Sequence, residues 1–237
     1  MKRFWDHVTL DRDERGHAIL LDGKPMHLPG GTELRIGPAA LAQAVAEEWQ
    51  AAGGTKGGNM SFKDTPLTRL AGTAQERVQP NPDPTVDAIA RYGETDMLCY
   101  RAEHPPELVQ RQSEGWQPWL DWAALTYDAP LRVTTGVGPI RQHRDSISAL
   151  RRTVAALDLH TLTALGIAVP ALGSLVLGLA LAEGRLTPAE AHALGALDEL
   201  FQEEQWGPDD EAVARRAALA ADVALAARYI ALTREPA

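Results

Sequence analysis

The stretch 165–182 carries no charged residue, so any fold this chain adopts must take it out of water. A membrane-spanning helix needs roughly 20 apolar residues and usually lies between basic flanks. Here the run is interrupted by Gly166, Pro170, Gly173, Ser174 and Gly178 and bounded by Asp158 and Glu183. It reads as a buried core helix, which predicts a helical body around it and no stable membrane insertion. A chain of 237 residues can bury such a core without staples. Its single cysteine, Cys99, excludes an intramolecular disulfide framework and a cysteine-rich zinc site.

Ahead of that body the pattern is different. Residues 4–10 and 18–21 alternate loosely around a polar turn at 11–16. Asp22-Gly23 then offers the positive φ angles of a type I′ hairpin turn, with the return strand at 26–28 and, after Pro29-Gly30-Gly31, one more short strand at 33–36. After Pro38 the period becomes helical, with Leu41, Val45 and Trp49 on one face and Gly53-Gly54 as the stop. Thr65-Pro66 opens a second helix through Arg77, and Pro80-Asn81-Pro82-Asp83-Pro84 breaks the chain. Beyond the break, helices are expected at 86–92, 107–122, 144–157, 159–182, 188–205 and 209–232, with a short extended piece at 131–134. The fold class expected is α+β: a small N-terminal domain of antiparallel β plus helix over 1–82, then a mainly α-helical bundle domain over 83–237.

Charge and motifs exclude several functions. With 23 Lys+Arg against 32 Asp+Glu, the net charge of −9 argues against a dedicated nucleic-acid or anionic-membrane binder. The seven histidines are scattered, with no HExxH and no i, i+4 pair, and no metal site is expected. Nucleophile-elbow, Walker A, dinucleotide and kinase signatures are all missing. The run Gly53-Gly54-Thr55-Lys56-Gly57-Gly58 lacks phosphate-loop spacing and reads as a loop. Cys99 sits among apolar neighbours without an adjacent base and reads as an inert thiol. No catalytic residue and no cofactor are expected, and the chain is read as a non-enzyme.

Two features are left over. Trp116, Trp119 and Trp122 recur every three residues, as a bundle core or as a docking ridge. In the segment opened by the capping box Thr187-Pro188-Ala189-Glu190, Leu194, Leu197 and Phe201 form one stripe, and Asp198, Glu199, Gln202 and Glu203 fall largely outside it. Glu199 and Glu203 are like charges at i, i+4, and Glu203 and Glu204 crowd a helix C-terminus, where the macrodipole disfavours anions. Such acids form either a solvated face or a surface kept for a partner bearing positive charge.

At these residues the sequence resembles a known family. Thr95-Asp96-Met97-Leu98-Cys99-Tyr100-Arg101-Ala102, the Gln112 to Trp122 segment with Trp116-Gln117-Pro118-Trp119, Gly173-Ser174-Leu175, and Leu197-Asp198-Glu199-Leu200-Phe201-Gln202 followed by Trp206-Gly207 are similar to the ATP-twelve family of assembly chaperones for the ATP synthase F(1) sector. Arg3-Phe4-Trp5 and Leu21-Asp22-Gly23-Lys24-Pro25 extend the likeness to nearly the whole chain. The resemblance implies a chaperone that binds the unassembled F(1) alpha subunit and prevents its aggregation, without cofactor or nucleic acid. It implies an N-terminal α+β domain and a C-terminal helical domain. It places the family's functionally important glutamate at Glu199, with Asp198, Gln202, Glu203, Glu204 and Trp206 around it as the client-binding set. Mitochondrial members carry a leader that the opening residues do not resemble, so a bacterial cytoplasmic protein is expected. The competing readings are a small-ligand or lipid-binding helical module built on 165–182, and an acid–base enzyme using Glu199 with Asp198 or Glu203.

Overall fold

In the computed structural model, which describes residues 1–136 and 138–234, contacts group the chain into two units. One comprises Met1–Pro82 and the chain from Arg228 on, the other Asp83–Ala227. The last turns of the final helix thus cluster with the N-terminal unit; the end of the 83–237 segment, residues 235–237, lies outside the described residues.

In the first unit the alternating segments form an antiparallel sheet. Strand β1 (Val8–Asp13) pairs with β2 (Gly16–Leu21) from Val8↔Leu21 to Asp13↔Gly16. The hairpin starts later and runs further than the sequence pattern predicts. Asp22 accounts for the late start, because its carboxylate accepts the Asp6 and His7 backbone N–H groups at 3.0 and 2.8 Å and holds the entering chain outside the ladder. Asp22 and Gly23, at φ 48° and 79°, make the turn into β3 (Lys24–Pro25). Strand β4 (Arg35–Ile36) also pairs with β2, at His17↔Ile36 and Ala18↔Arg35. Helix α1 (Ala39–Ala51) packs on the sheet through buried Leu41, Val45 and Trp49, the stripe its spacing predicts. The Trp5 indole donates to the Trp49 carbonyl at 3.1 Å, with the two rings 5.0 Å apart.

The glycine-rich run 53–58 is a loop, and its occupant is a cation of this chain. Buried Arg3 sends its guanidinium to the carbonyls of Trp5, Gln50, Ala52, Gly54 and Asp6 at 2.6–3.3 Å. The Arg3 backbone pairs with Gly57 and Gly58. Beyond the loop, α2 (Pro66–Thr73) passes into a π-helical turn, Ala74–Val78. The first backbone N–H groups of α2 are orphans within the helix. The Glu48 carboxylate of α1 accepts two of them, from Leu67 at 2.7 Å and Thr68 at 3.1 Å.

The second unit is mainly helical: α3 (Asp83–Ala90), then β5 (Tyr100–Arg101), α4 (Pro106–Tyr127), β6 (Thr134–Thr135), α5 (Arg144–Ala155), α6 (Leu159–Leu172), α7 (Leu175–Ala182), α8 (Pro188–Gly195), α9 (Leu197–Trp206) and, up to Ala227, α10 (Asp210–Thr233). Strands β5 and β6 pair in parallel. The uncharged run is the core: every residue of α7 is buried. It is two helices rather than the single one expected. Gly173, at φ 63°, ends α6 in the left-handed conformation that L side chains resist. Ser174 then restarts the chain by accepting the Leu177 N–H on its hydroxyl at 3.1 Å. The expected helix over 188–205 is likewise divided, at Ala196. Among the described residues no helix is long and apolar enough to cross a membrane.

Candidate functional site

The four segments from Thr95 onward that carry the family resemblance meet inside the second unit, and they do so as structure. Asp96 is fully buried; its carboxylate accepts the Leu98 N–H at 3.1 Å and the Val176 N–H at 3.0 Å, capping α7 from outside the helix. Met97 N–H donates to the Gly173 carbonyl at 3.2 Å, closing the same junction. Burial lifts the Asp96 carboxyl from 3.8 to about 6. The neighbouring Cys99 thiol is pushed up to about 12 by burial, which removes the thiolate a nucleophile needs.

A second network seats α9. Gln112 is buried on α4; its amide accepts the Ala102 N–H at 2.7 Å and donates to Asp198 at 2.8 Å. The Arg101 guanidinium donates to the Gln112 carbonyl and stacks over the Trp116 ring at 5.2 Å. The Trp116 indole donates to the Leu194 carbonyl at 2.9 Å, in α8. Asp198 therefore faces inward, against α4. Phe201 is buried beside it, under Arg111 at 5.1 Å.

The other acids face outward, and each has an arginine of this chain. Glu199 meets Arg215 at 3.1 Å and Arg216 at 3.6 Å. Glu203 contacts the same Arg216, which is buried. Glu204 meets Arg111 at 2.8 Å. The like-charge repulsion between Glu199 and Glu203 is thus answered by a guanidinium set between them from α10. Gln202 is exposed, and Trp206 at the end of the helix leaves 80% of its surface in water. The structure brings Glu199, Glu203, Glu204, Gln202 and Trp206 to one exposed helix and assigns Asp198 to its base. The tryptophan series divides in the same way. Trp116 is core, while Trp119 and Trp122 are half-buried, Trp122 between Tyr127 at 5.2 Å and Arg185 at 5.4 Å.

Sequence reasoning did not find a groove in the first unit. Its volume is about 1020 Å³, and Met26, Leu28, Trp49, Phe4 and Phe62 are among the residues lining it. Its wall is α2 and the π turn after it. Gly72 makes the close approach possible, since a Cβ there would stand 2.9 Å from the Leu28 side chain. The sequence signal was two exposed phenylalanines in polar surroundings, Phe4 after Lys2-Arg3 and Phe62 before Lys63-Asp64. Among the described residues no cluster of three His, Cys, Asp or Glu side chains is placed to hold a metal ion.

Comparison with known proteins places this architecture. The crystal structure of Atp12 from Paracoccus denitrificans is similar at 45% identity and a TM-score of 0.92, covering 98% of each chain. An aspartate-to-lysine mutant of that protein gives the same values. A solved protein of Agrobacterium tumefaciens is similar at 37% identity and a TM-score of 0.89, over 98% of this chain and 85% of the other. The mitochondrial atp12 protein of Schizosaccharomyces pombe is 23% identical over 220 residues, 89% of this chain and 75% of its own length. The family model described as ATP12 chaperone protein matches residues 2–124, and with these relatives the chain belongs to the ATP12 chaperone family.

Proposed function

We propose that this chain is a cytoplasmic assembly chaperone of the proton-transporting ATP synthase, and that its client is the unassembled F(1) alpha subunit. Family membership supports the chaperone role, and the motif resemblance supplies the client. The role asks for no catalytic group, metal or cofactor.

The observation that carries the choice of surface is Trp206, 80% exposed at the end of an acidic helix. An indole buries 150–250 Å² in a partner, worth about 4–6 kcal/mol before the costs of association are subtracted. Beside it, the Glu199–Arg215 and Glu204–Arg111 pairs are bathed in solvent. Exposed pairs of this kind contribute under about 1 kcal/mol each. They exchange for cations of a client at little cost and re-form on release, as a holdase requires. Asp198 and Gln112 hold the helix in place while this happens.

Light scattering of alpha subunit diluted from denaturant tests the reading. Near-stoichiometric chaperone should suppress aggregation of alpha far more than of beta. The substitution Trp206→Ser should weaken capture about tenfold or more, as loss of an aromatic hot spot does, at unchanged melting temperature. Equal protection of unrelated proteins would reduce the chain to a nonspecific holdase.

A further inference from the structure

The groove of the first unit has the chemistry of a second, independent docking site. Met1, Phe4 and Phe62 line it with more than half of each side chain's residue surface in water, at 55, 58 and 56% exposure. Met26 and Leu28 form a buried floor. Large apolar side chains scattered singly over a surface need no explanation, whereas a set gathered around one depression marks an interaction surface.

Its charge says what the occupant is. Lys24, Arg69 and Arg77 line the same groove, all exposed, and none forms an ion pair among the described residues. The one carboxylate of the lining, Glu76, accepts the Thr32 hydroxyl at 2.8 Å. This is a cationic rim on a protein of net charge −9. An acyl chain would call for an enclosed apolar channel with polar groups at one end. Here the polar groups are distributed along the wall: Arg69 and Thr73 on α2, then Glu76 and Arg77 on the π turn. Polar groups spaced along an apolar trough suit an extended polypeptide, whose side chains alternate between floor and rim.

We propose that this groove binds an extended segment of a partner protein in which apolar residues alternate with acidic ones. The inference rests on the chaperone reading only in expecting an incompletely folded partner, and it does not involve α9.

Fluorescence anisotropy with the full chain tests it, using two labelled peptides, one alternating Leu with Glu and one alternating Leu with Lys. The acidic peptide should bind at least tenfold tighter. The double substitution Arg69→Glu/Arg77→Glu should reverse that preference, and Phe62→Ser should weaken binding of the acidic peptide. Should the double variant fail to fold, Lys24→Glu, in the hairpin return, should at least narrow the preference. Equal affinity for the two peptides, no binding of either, or a preference unmoved in the charge variants would overturn the proposal. So would charge-dependent binding to phosphatidylglycerol vesicles without binding of the acidic peptide, which would make the occupant a membrane surface. The peptides contain nothing of the alpha subunit, so failure here leaves the α9 reading standing. Loss of alpha capture by α9 variants leaves the peptide result intact.

Discussion

On α9 each of Glu199, Glu203 and Glu204 faces an arginine of its own chain, whereas at the groove Lys24, Arg69 and Arg77 form no ion pair among the described residues. The exposed apolar surface differs too: Leu200 and Trp206 stand on α9, while two phenylalanines and a methionine gather around a floor at the groove. An in-chain ion pair hides its charge from a partner until the pair is traded. Unpaired charge beside apolar surface is available at first contact and also steers the encounter. The two proposed surfaces would therefore recognise by different means: α9 by exchange, with built-in reversal, and the groove by direct complementarity.

The largest effect that would break the comparison is expected at Arg3. Its side chain satisfies five carbonyls in a buried setting, and Met1 and Phe4 of the groove flank it in sequence. Arg3→Ala leaves those carbonyls without their charged donor, at a cost of about 3–5 kcal/mol. That corresponds to a melting temperature lower by roughly 10 °C. Calorimetry should show this drop, with peptide binding lost at temperatures where the variant is still folded. A variant that melts with the parent would show that the groove is held by other contacts.

Next in size is a pH effect in which the units share a device and differ in degree. Glu48 caps α2 and Asp96 caps α7, each a carboxylate reaching a helix N-terminus from another element. Burial raises both acids above the ordinary carboxylate range, and carries Asp96 from 3.8 to about 6. A raised carboxylate favours the protonated folded state, so its contribution is complete below its unfolded pKa and declines as pH rises through the folded one. For Asp96 that window runs from pH 3.8 to about 6. The decline is on the order of 2–3 kcal/mol. Urea titrations across this window should show stability falling in the parent and a flatter profile in Asp96→Asn. The Asn variant also loses an acceptor at one of the capped N–H groups, so it should be weaker than the parent below pH 4. An unchanged slope would mean that Asp96 stays ionised throughout.

Local chemistry was legible in the sequence and convergence was not. The Asp22-Gly23 turn, the Leu41–Val45–Trp49 stripe and the inert Cys99 each depend on a few neighbouring residues. The division of 159–182 was hidden because α6 and α7 are apolar all round, so no change of amphipathic phase marks the break at Gly173. The π turn leaves no compositional trace. At the candidate site the acids were visible and their arginines were not, since Arg111 and Glu204 are far apart in the chain and meet only through the packing of α4 against α9. The groove draws on residues from Met1 to Arg77, and no spacing rule links them.

The smallest stability effect belongs to Glu199, where it discriminates most. Spacing alone says that Glu199→Lys relieves repulsion with Glu203 and leaves the helix no weaker. Arg215 at 3.1 Å and Arg216 at 3.6 Å reverse that sign, because a lysine there becomes a third cation. Glu199 is 41% and Arg215 57% exposed at the side chain, so solvent holds the cost under about 1 kcal/mol. That is a melting shift of roughly 2–4 °C at most. A much larger drop would make Glu199 a strut between α9 and α10, with any loss of capture a consequence of unfolding. If capture of alpha subunit falls tenfold at this small shift, the charge swap Glu199→Lys/Arg215→Glu separates what remains. The swap restores an in-chain pair and with it the stability. If capture also returns, the client needs only a well-seated helix; if it stays lost, the client reads the carboxylate at position 199 itself.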